Sequence, residues 1–487
     1  MATRSAAAAP IVSLEAGQIR GSVSNGISRF LGVPYAAAPI GPNRFALPAP
    51  HPGWSGIRDA TSFGATAPQA AYGGGIEALL PTADIPGDEF LNLNVLAPVG
   101  ASGLPVMVWV HGGSLSHGAN ALSGYHGTTF ARDGVVYVAI NYRLGSEGFS
   151  VIDGAPLNLG LGDVFAALRW VHTEIAKFGG DPGQVTVFGQ SAGAILLWAL
   201  VARPDAPDLC ARAILQSGGP ASETRRSAGR ITRLEAKQLG IPATRTAFST
   251  KSTIELVAAQ GMVTARSTPI TGGPAFAIAL GEGLVPRTPM DAVLHGAAAG
   301  IPLLIGYTTE EYRLWFVPTG LMDRISATLF RLARIRFRIG RRILAAYRAG
   351  HPGASRAELF GLLATDILLR LPFNRIADAR AAAGASTHVY EFTWGSPVQN
   401  LGAAHAIELG FVFDGVADPE WQRLIGDAAP QQLADDMHGA WVRFAKTGDP
   451  GWESWNTRRP VERFDAPASE VVYAPREPER AAWGKGG

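Results

Sequence analysis

Cysteine is almost absent from this 487-residue chain, which contains only Cys210. A single cysteine cannot form an internal disulfide and does not favour a structural zinc site. The lack of disulfides fits a reducing compartment, so we predict a cytoplasmic protein. Secretion stays open, because secreted bacterial proteins can also lack disulfides.

Long apolar runs and an excess of one charge are also missing. No run approaches the ~20 apolar residues that cross a bilayer, so no transmembrane segment is predicted. The formal net charge is +2, which does not favour a nucleic-acid partner. Residues 1–10 have no clear signal-peptide cleavage pattern and are predicted to be a disordered tail.

The order of elements predicts an α/β protein. Apolar β-rich runs at 103–111, 135–141 and 184–189 predict buried strands. Residues 159–178 have helical spacing and end at a Gly-Gly-Asp-Pro stop signal. A helix is also predicted over 191–202, so the elements form a mostly parallel sheet with right-handed crossovers.

A Gly-Gln-Ser-Ala-Gly motif at 189–193 lies where one of these strands meets a helix. A serine at such a strand-to-helix turn is typical of a nucleophile elbow. The alternative is an ordinary serine N-cap. The strand and helix on either side favour Ser191 as a nucleophile.

The residues that assist a nucleophilic serine follow a known order along the chain in folds of this kind: the oxyanion loop precedes the serine, and the acid and then the histidine follow it. His-Gly-Gly at 111–113 follows a predicted strand and resembles the oxyanion loop of such enzymes. The predicted donors are therefore the N–H groups of Gly113, Ser114 and Ala192. The acid precedes the histidine in this order, and the acidic pair Glu310 and Glu311 follows the predicted strand in 301–316.

Four histidines follow that acidic pair: His351, His388, His405 and His438. His351 precedes a Pro-Gly turn, His388 begins an apparent strand, and His438 lies in an amphipathic segment. His405 lies in a Gly/Ala-rich loop that can reach the serine, so elimination favours His405 as the base.

Many ordered segments resemble the type-B carboxylesterases, the cholinesterase-like branch of the α/β-hydrolases. The matching segments are RFLGVPYAAAPIGPNRF (29–45), LNLNVLAP (91–98), NYRLGSEGF (141–149), NLGLGDVFAALRWV (158–171), FGGDP (178–182), FGQSAG (188–193), AILQSGG (213–219) and MHGAWVRFAKTGDPG (437–451). The resemblance implies an α/β-hydrolase fold over 11–487 as one domain, with a helical insertion around 318–385.

The resemblance also assigns residues. It selects Glu311 as the acid and His405 as the base, with Glu408 and Ser217 supporting them. It implies two structural ion pairs, Arg143 with Asp163 and Arg44 with Asp88.

Four positions depart from the family pattern. Ser114 replaces the third glycine of the oxyanion loop, and Tyr312 replaces the glycine after the acid. Gln190 replaces a glutamate before the nucleophile, and Phe90 stands where many members have cysteine. Because Ser114 still offers its N–H and its side chain narrows the pocket, we expect activity with altered selectivity.

Two further features are open to alternative interpretations. Five apolar side chains are predicted either to line a substrate pocket or to belong to the hydrophobic core: Leu115, Trp315, Phe316, Phe411 and Phe413. The arginine-rich segment 324–348 is either a helical insertion with a solvated basic face or a surface that binds anionic substrate or lipid headgroups.

These features predict hydrolysis of a small-molecule ester through an acyl-enzyme, with no metal or organic cofactor. Amide or carbamate hydrolysis by the same triad is one alternative. A non-catalytic binding module is another, and the presence of all three triad residues argues against it. The sequence does not indicate an oligomeric state.

Overall fold

A computed structural model of the chain describes residues 9–265, 273 and 275–484. All but the last two residues of the predicted tail, 1–10, lie outside this description. The strands are β1 Ile11–Ser13, β2 Gln18–Arg20, β3 Ser22–Ser24, β4 Ile27–Pro34, β5 Ile57–Asp59, β6 Asn92–Pro98, β7 Leu104–Val110, β8 Val136–Ile140, β9 Gly180–Gln190, β10 Arg212–Gln216, β11 Leu303–Thr308, β12 Thr387–Phe392, β13 Pro460–Phe464 and β14 Glu470–Tyr473. The α-helices are α1 Thr128–Arg132, α2 Gly145–Phe149, α3 Leu159–Glu174, α4 Ala192–Val201, α5 Arg225–Leu239, α6 Arg245–Ser249, α7 Thr253–Thr264, α8 Pro289–Leu294, α9 Arg313–Phe316, α10 Ala327–Arg336, α11 Arg341–Gly350, α12 Arg356–Thr365, α13 Leu371–Ala382, α14 Leu409–Val412, α15 Pro419–Ile425, α16 Gln431–Thr447 and α17 Glu477–Trp483.

An 11-stranded sheet forms the centre of the protein, in the order β14-β13-β12-β11-β10-β9-β7-β8-β6-β4-β3. The strands from β8 to β13 in this order pair in parallel. Antiparallel strands β6, β4 and β3 extend one edge, and β14 extends the other. A mostly parallel sheet was the sequence prediction, and the structure confirms it.

The middle strands are hydrophobic on both faces because helices cover both sides of the sheet. Val108 of β7, for example, pairs with Val138 of β8 and Val187 of β9, and all three are fully buried. The predicted strands at 103–111 and 135–141 are observed as β7 and β8, shorter by a residue at each end. Helix α3 passes into a 3-10 turn that ends at Gly179, whose φ of +85° is the left-handed conformation of a C-terminal glycine.

One of the two predicted ion pairs is confirmed and the other is wrong. Arg143 and Asp163 form a fully buried pair, with Nη2 2.6 Å from Oδ1. Arg44 pairs with Glu147 at 2.7 Å instead of with Asp88. Glu147 lies in α2, so Arg44 ties the N-terminal segment to that helix.

Helices α9 to α13 lie between β11 and β12, the stretch of chain that separates the predicted acid from the predicted base. Apolar side chains of α9 to α12 form a separate hydrophobic cluster that includes Phe316, Phe330 and Phe360, together with Tyr312 just before α9. The buried face of α13, with Phe373 and Ile376, packs against the main core. Within the described ranges, no helix combines the length and apolar character that crossing a membrane requires.

Candidate active site

Ser191 occupies a strained turn between β9 and α4. Its φ of +57° and ψ of −123° are unusual for a residue with a side chain. The turn is held because Ser191 N–H donates to the Gln216 carbonyl at 2.9 Å and Ile195 N–H donates to the Ser191 carbonyl at 3.0 Å. The side chain remains partly exposed in an otherwise buried stretch.

A glycine two residues after Ser191 permits this geometry. A Cβ atom at Gly193 would lie 2.0 Å from the Val110 carbonyl oxygen. The start of α4 therefore approaches the end of β7 more closely than any larger residue permits. Close packing of α4 against β7 therefore explains why the last position of the Gly-x-Ser-x-Gly motif is a glycine.

His405 and Glu311 come together across 94 residues of sequence. His405 Nδ1 hydrogen-bonds Glu311 Oε2, and both side chains are buried. The other carboxylate oxygen, Oε1, accepts from the Thr308 N–H at 2.9 Å. Because the carboxylate contacts Nδ1, the neutral imidazole carries its proton there and leaves Nε2 as an acceptor.

The acceptor nitrogen of His405 is occupied by Gln190. The Gln190 Nε2 group lies 3.0 Å from His405 Nε2 and donates to it. Among the described residues, Ser191 Oγ makes no hydrogen bond with His405. Nε2 has a single lone pair, so the Gln190 amide must move aside before the serine hydroxyl can donate there. This contact places His405 beside the residue that precedes Ser191.

The loop that carries His405 is braced by Glu310, which the sequence indicated only as a member of the acidic pair, and by Arg313, which the sequence patterns did not identify. Glu310 Oε2 accepts from the Ala403 N–H at 2.9 Å. Arg313 donates to the carbonyls of Leu401 and Asn400 at 3.0 and 2.6 Å. Glu310 thus supports the loop while its neighbour Glu311 contacts the imidazole. The only sequence signal was that a charged cluster surrounds the predicted acid.

The predicted oxyanion loop follows β7 and is held by buried side chains. The His111 ring stacks on Tyr142 at 4.5 Å, and Tyr142 Oη donates to the His111 carbonyl at 2.8 Å. Burial lowers the pKa of His111 to about 4, so this ring is neutral near pH 7. The loop doubles back on itself because the N–H groups of Ser116 and His117 donate to the Gly113 carbonyl.

The predicted donor groups are free to bind a ligand. Within the described part of the chain, the N–H groups of Gly113, Ser114 and Ala192 have no hydrogen-bond acceptor. Ala192 is the first residue of α4, where such N–H groups have no partner within the helix. Gly113 and Ser114 have φ values of +112° and +55°, so the serine at the third glycine position adopts a conformation that glycine adopts more readily.

Glu408 and Ser217 lie in the buried layer next to the site. Glu408 Oε1 accepts from Gln216 at 3.5 Å, and Gln216 in turn accepts from Trp441 Nε1 at 3.0 Å. Burial, with a further contribution from the charge of Glu311, raises the pKa of Glu408 to about 8. Ser217 is buried with a φ of +49°, and its N–H donates to the Gly306 carbonyl at 2.8 Å.

Three of the five predicted pocket residues belong to the core. Phe316 stacks on Phe360, Phe411 packs against Phe392, and all of these side chains are buried. Phe413 contacts four other aromatic side chains: Trp109, Tyr125, Phe130 and Phe188. The side chains of the three predicted residues are at most 2% exposed, which favours the core over the substrate pocket as the interpretation of these three positions.

Of the other two predicted pocket residues, Trp315 is partly exposed beside His405 and Leu115 is buried next to the predicted oxyanion donors. The Trp315 ring is 4.8 Å from the His405 ring and is only partly buried. The Leu115 carbonyl accepts from the Gly145 N–H, so this residue fixes the end of the oxyanion loop.

Comparison with known proteins identifies the family. The sequence profile of the carboxylesterase family matches residues 8–470. The chain belongs to the carboxylesterase family. It is 34% identical over 461 residues to para-nitrobenzyl esterase of Bacillus subtilis (strain 168), with 92% of this chain and 91% of the relative covered. It is also 34% identical over 483 residues to phenmedipham hydrolase of Pseudarthrobacter oxydans, with 95% of each covered.

A solved structure agrees with this carboxylesterase assignment. The carboxylesterase of Geobacillus stearothermophilus, determined at pH 6.2, superposes with a TM-score of 0.86 and 33% identity. The superposition covers 97% of this chain and 99% of that one. The protein is therefore a serine carboxylic ester hydrolase with the α/β-hydrolase fold.

Proposed function

We propose that this carboxylesterase hydrolyses small to medium hydrophobic esters through an acyl-enzyme on Ser191, with His405 as base and Glu311 as acid. The observation that supports it best is the contact of Gln190 with His405 Nε2 at 3.0 Å. This contact joins a histidine that is hydrogen-bonded to a carboxylate to the residue that precedes a serine on a strained turn. The strained serine, the histidine and the carboxylate bound to that histidine are the three parts that nucleophilic catalysis by serine requires.

In the first half of the reaction, Gln190 releases His405 Nε2, and Nε2 takes the proton of Ser191 Oγ. The Oγ electron pair attacks the ester carbonyl carbon, and the carbonyl electrons move to oxygen. The N–H groups of Gly113, Ser114 and Ala192 bind this oxyanion. The tetrahedral intermediate then collapses, and His405 gives its proton to the departing alkoxide, which leaves as the alcohol.

In the second half, water replaces the alcohol. His405 takes a proton from water, the hydroxide attacks the acyl carbon, and the proton returns to Ser191 Oγ as the carboxylic acid leaves. Glu311 keeps the proton on Nδ1 in the neutral ring and stabilises the imidazolium that forms twice in each cycle. The Glu311 oxygen that does not contact His405 is held by Thr308 N–H, so the carboxylate cannot rotate away.

The substrate class follows from the side chains beside the triad. Trp315 offers an apolar face 4.8 Å from the His405 ring, and Leu115 adjoins the predicted donors. An apolar acyl or alcohol group can remove the exposed part of the Trp315 ring from water, at about 25 cal/mol per Å² of apolar area buried. Hydrophobic esters are therefore favoured over charged ones.

The experiment is a comparison of p-nitrophenyl esters from acetate to long chains with the matched p-nitroanilide and carbamate. We expect kcat/KM to rise with acyl length up to an optimum and then fall, with esters hydrolysed faster than the other two classes. Faster turnover of the anilide or carbamate at equal acyl length would replace the ester proposal with the corresponding one. Inactivity on all three classes, from a protein with an intact melting transition, would contradict it.

A further inference from the structure

The arginine-rich segment 324–348 presents an unusual surface. It contains eight arginines and no lysine, aspartate or glutamate. Its positive charge exceeds the formal net charge of the whole chain, +2, so the remainder is net negative. None of the eight arginines forms an ion pair with a carboxylate in the described part of the chain. The charge is therefore concentrated in one segment of the chain and is not neutralised there by ion pairs.

Apolar side chains are exposed on the same segment. Leu329, Leu332, Ile335 and Phe337 are 40%, 58%, 67% and 42% exposed. The first three lie three residues apart along α10, so they form one ridge on its outer side. Four large apolar side chains within nine residues form a patch rather than the scattered exposure of single residues that soluble proteins tolerate.

The inner side of α10 packs against the hydrophobic core of the helical region, so the exposed ridge belongs to a folded helix. Phe330 is buried against the cluster that includes Tyr312 and Phe316, the residues that follow Glu311. Exposed Arg331 and Arg336 flank the ridge on the outer side. The helix thus has an apolar inner side, an apolar outer ridge and a basic border.

We propose that α10, with the arginines around it, binds an anionic lipid surface. An apolar ridge bordered by unpaired arginines suits the boundary between acyl chains and anionic headgroups. A protein partner would need carboxylates spaced to match eight arginines, whereas a bilayer supplies anionic groups at any spacing. The arginine stems can lie along the apolar layer while their guanidinium groups reach the headgroups.

The position of α10 connects this surface to the catalytic side of the protein. Helix α9, which carries Trp315, lies between Glu311 and the segment, and Phe316 shares the hydrophobic cluster with Phe330. A bound bilayer would therefore adjoin the elements around His405. Binding itself does not depend on the proposed reaction and can be measured without turnover.

The test is sedimentation with phosphatidylcholine vesicles that contain or lack phosphatidylglycerol. We expect binding only to vesicles with phosphatidylglycerol, weakened by salt because the attraction is screened. Each arginine near an anionic surface contributes about fivefold to partitioning. Arg331→Gln/Arg336→Gln should therefore reduce binding by roughly 25-fold, and Leu332→Ser/Ile335→Ser by about tenfold through lost apolar burial.

Two control variants match these changes elsewhere on the surface. Arg226→Gln/Arg230→Gln removes the same charge from exposed positions of α5, and Ile254→Ser removes an apolar side chain that is 81% exposed on α7. Both should bind as the unaltered protein does. All variants should keep their hydrolysis of a soluble ester, which shows that they fold.

Three results would overturn the proposal. One is no binding to either vesicle, and another is equal loss of binding in the α5 controls. The third is self-association in sedimentation velocity that only the α10 variants abolish, without vesicle binding, since a second copy of the chain would then be the occupant.

Discussion

Ser191→Ala is expected to lower kcat for a p-nitrophenyl ester by about 10⁶-fold, the scale on which a serine protease loses activity without its nucleophile. The acyl-enzyme route cannot proceed, because alanine has no oxygen to attack the carbonyl. The measurement is steady-state turnover of purified protein at matched concentration. KM should change far less than kcat, since the donors and apolar side chains that bind the ester remain.

An exposed serine far from the motif provides the control. Ser249→Ala, at the end of α6, makes the same chemical change and should leave kcat within about twofold. Equal activity of the Ser191 variant and the unaltered protein would show that another residue is the nucleophile.

Glu311→Gln is expected to lower kcat by about 10⁴-fold, as loss of the triad carboxylate does in serine proteases. The glutamine oxygen can still accept from Thr308 N–H, which directs the amide NH₂ group towards His405 Nδ1. Two donors would then face each other, so the imidazole would adopt the tautomer that carries its proton on Nε2. That tautomer cannot accept the proton of Ser191. Steady-state kcat with the same ester measures the effect.

The neighbouring carboxylate is a stringent control for this substitution. Glu310→Gln keeps an oxygen to accept from Ala403 N–H and loses only the charge that faces Arg313, whose closest approach is 3.4 Å. We expect a loss of less than about tenfold in kcat. A larger loss for Glu310→Gln than for Glu311→Gln would reverse the assignment of the acid.

The strand-turn-helix around Ser191 could be predicted from the sequence because its determinants are contiguous. An apolar run, a Gly-x-Ser-x-Gly turn and an apolar helix follow one another within 18 residues, 184–201. The parallel sheet could also be predicted, since buried strands alternate with helices along the chain. The pair formed by His405 and Glu311 required the rule of chain order, elimination among four histidines, and the family resemblance that selects Glu311 over Glu310, because 94 residues separate the two.

Features that depend on distant packing were missed or mispredicted. Phe411 and Phe413 lie near His405 in sequence, yet both side chains turn into the core, where other aromatic rings surround them. The family resemblance assigned Asp88 to Arg44, and only the fold shows that Glu147 is its partner. The contact of Gln190 with His405 joins residues 215 apart, and nothing local indicates it.

Gln190 also explains why the resting arrangement differs from the reactive one. Its amide hydrogen bond occupies the nitrogen that the mechanism requires. Catalytic hydrogen bonds are often incomplete until substrate binds and tighten in the complex.

Covalent labelling of the folded protein with a fluorophosphonate, followed by peptide mass mapping, tests the central claim most directly. We expect one phosphonyl group per chain, attached to the peptide that contains Ser191, with esterase activity lost in step with labelling. Heat-denatured protein and Ser191→Ala should remain unlabelled, because the reaction requires the assembled triad and not merely a serine. Complete loss of activity with the adduct on any other residue would contradict the account.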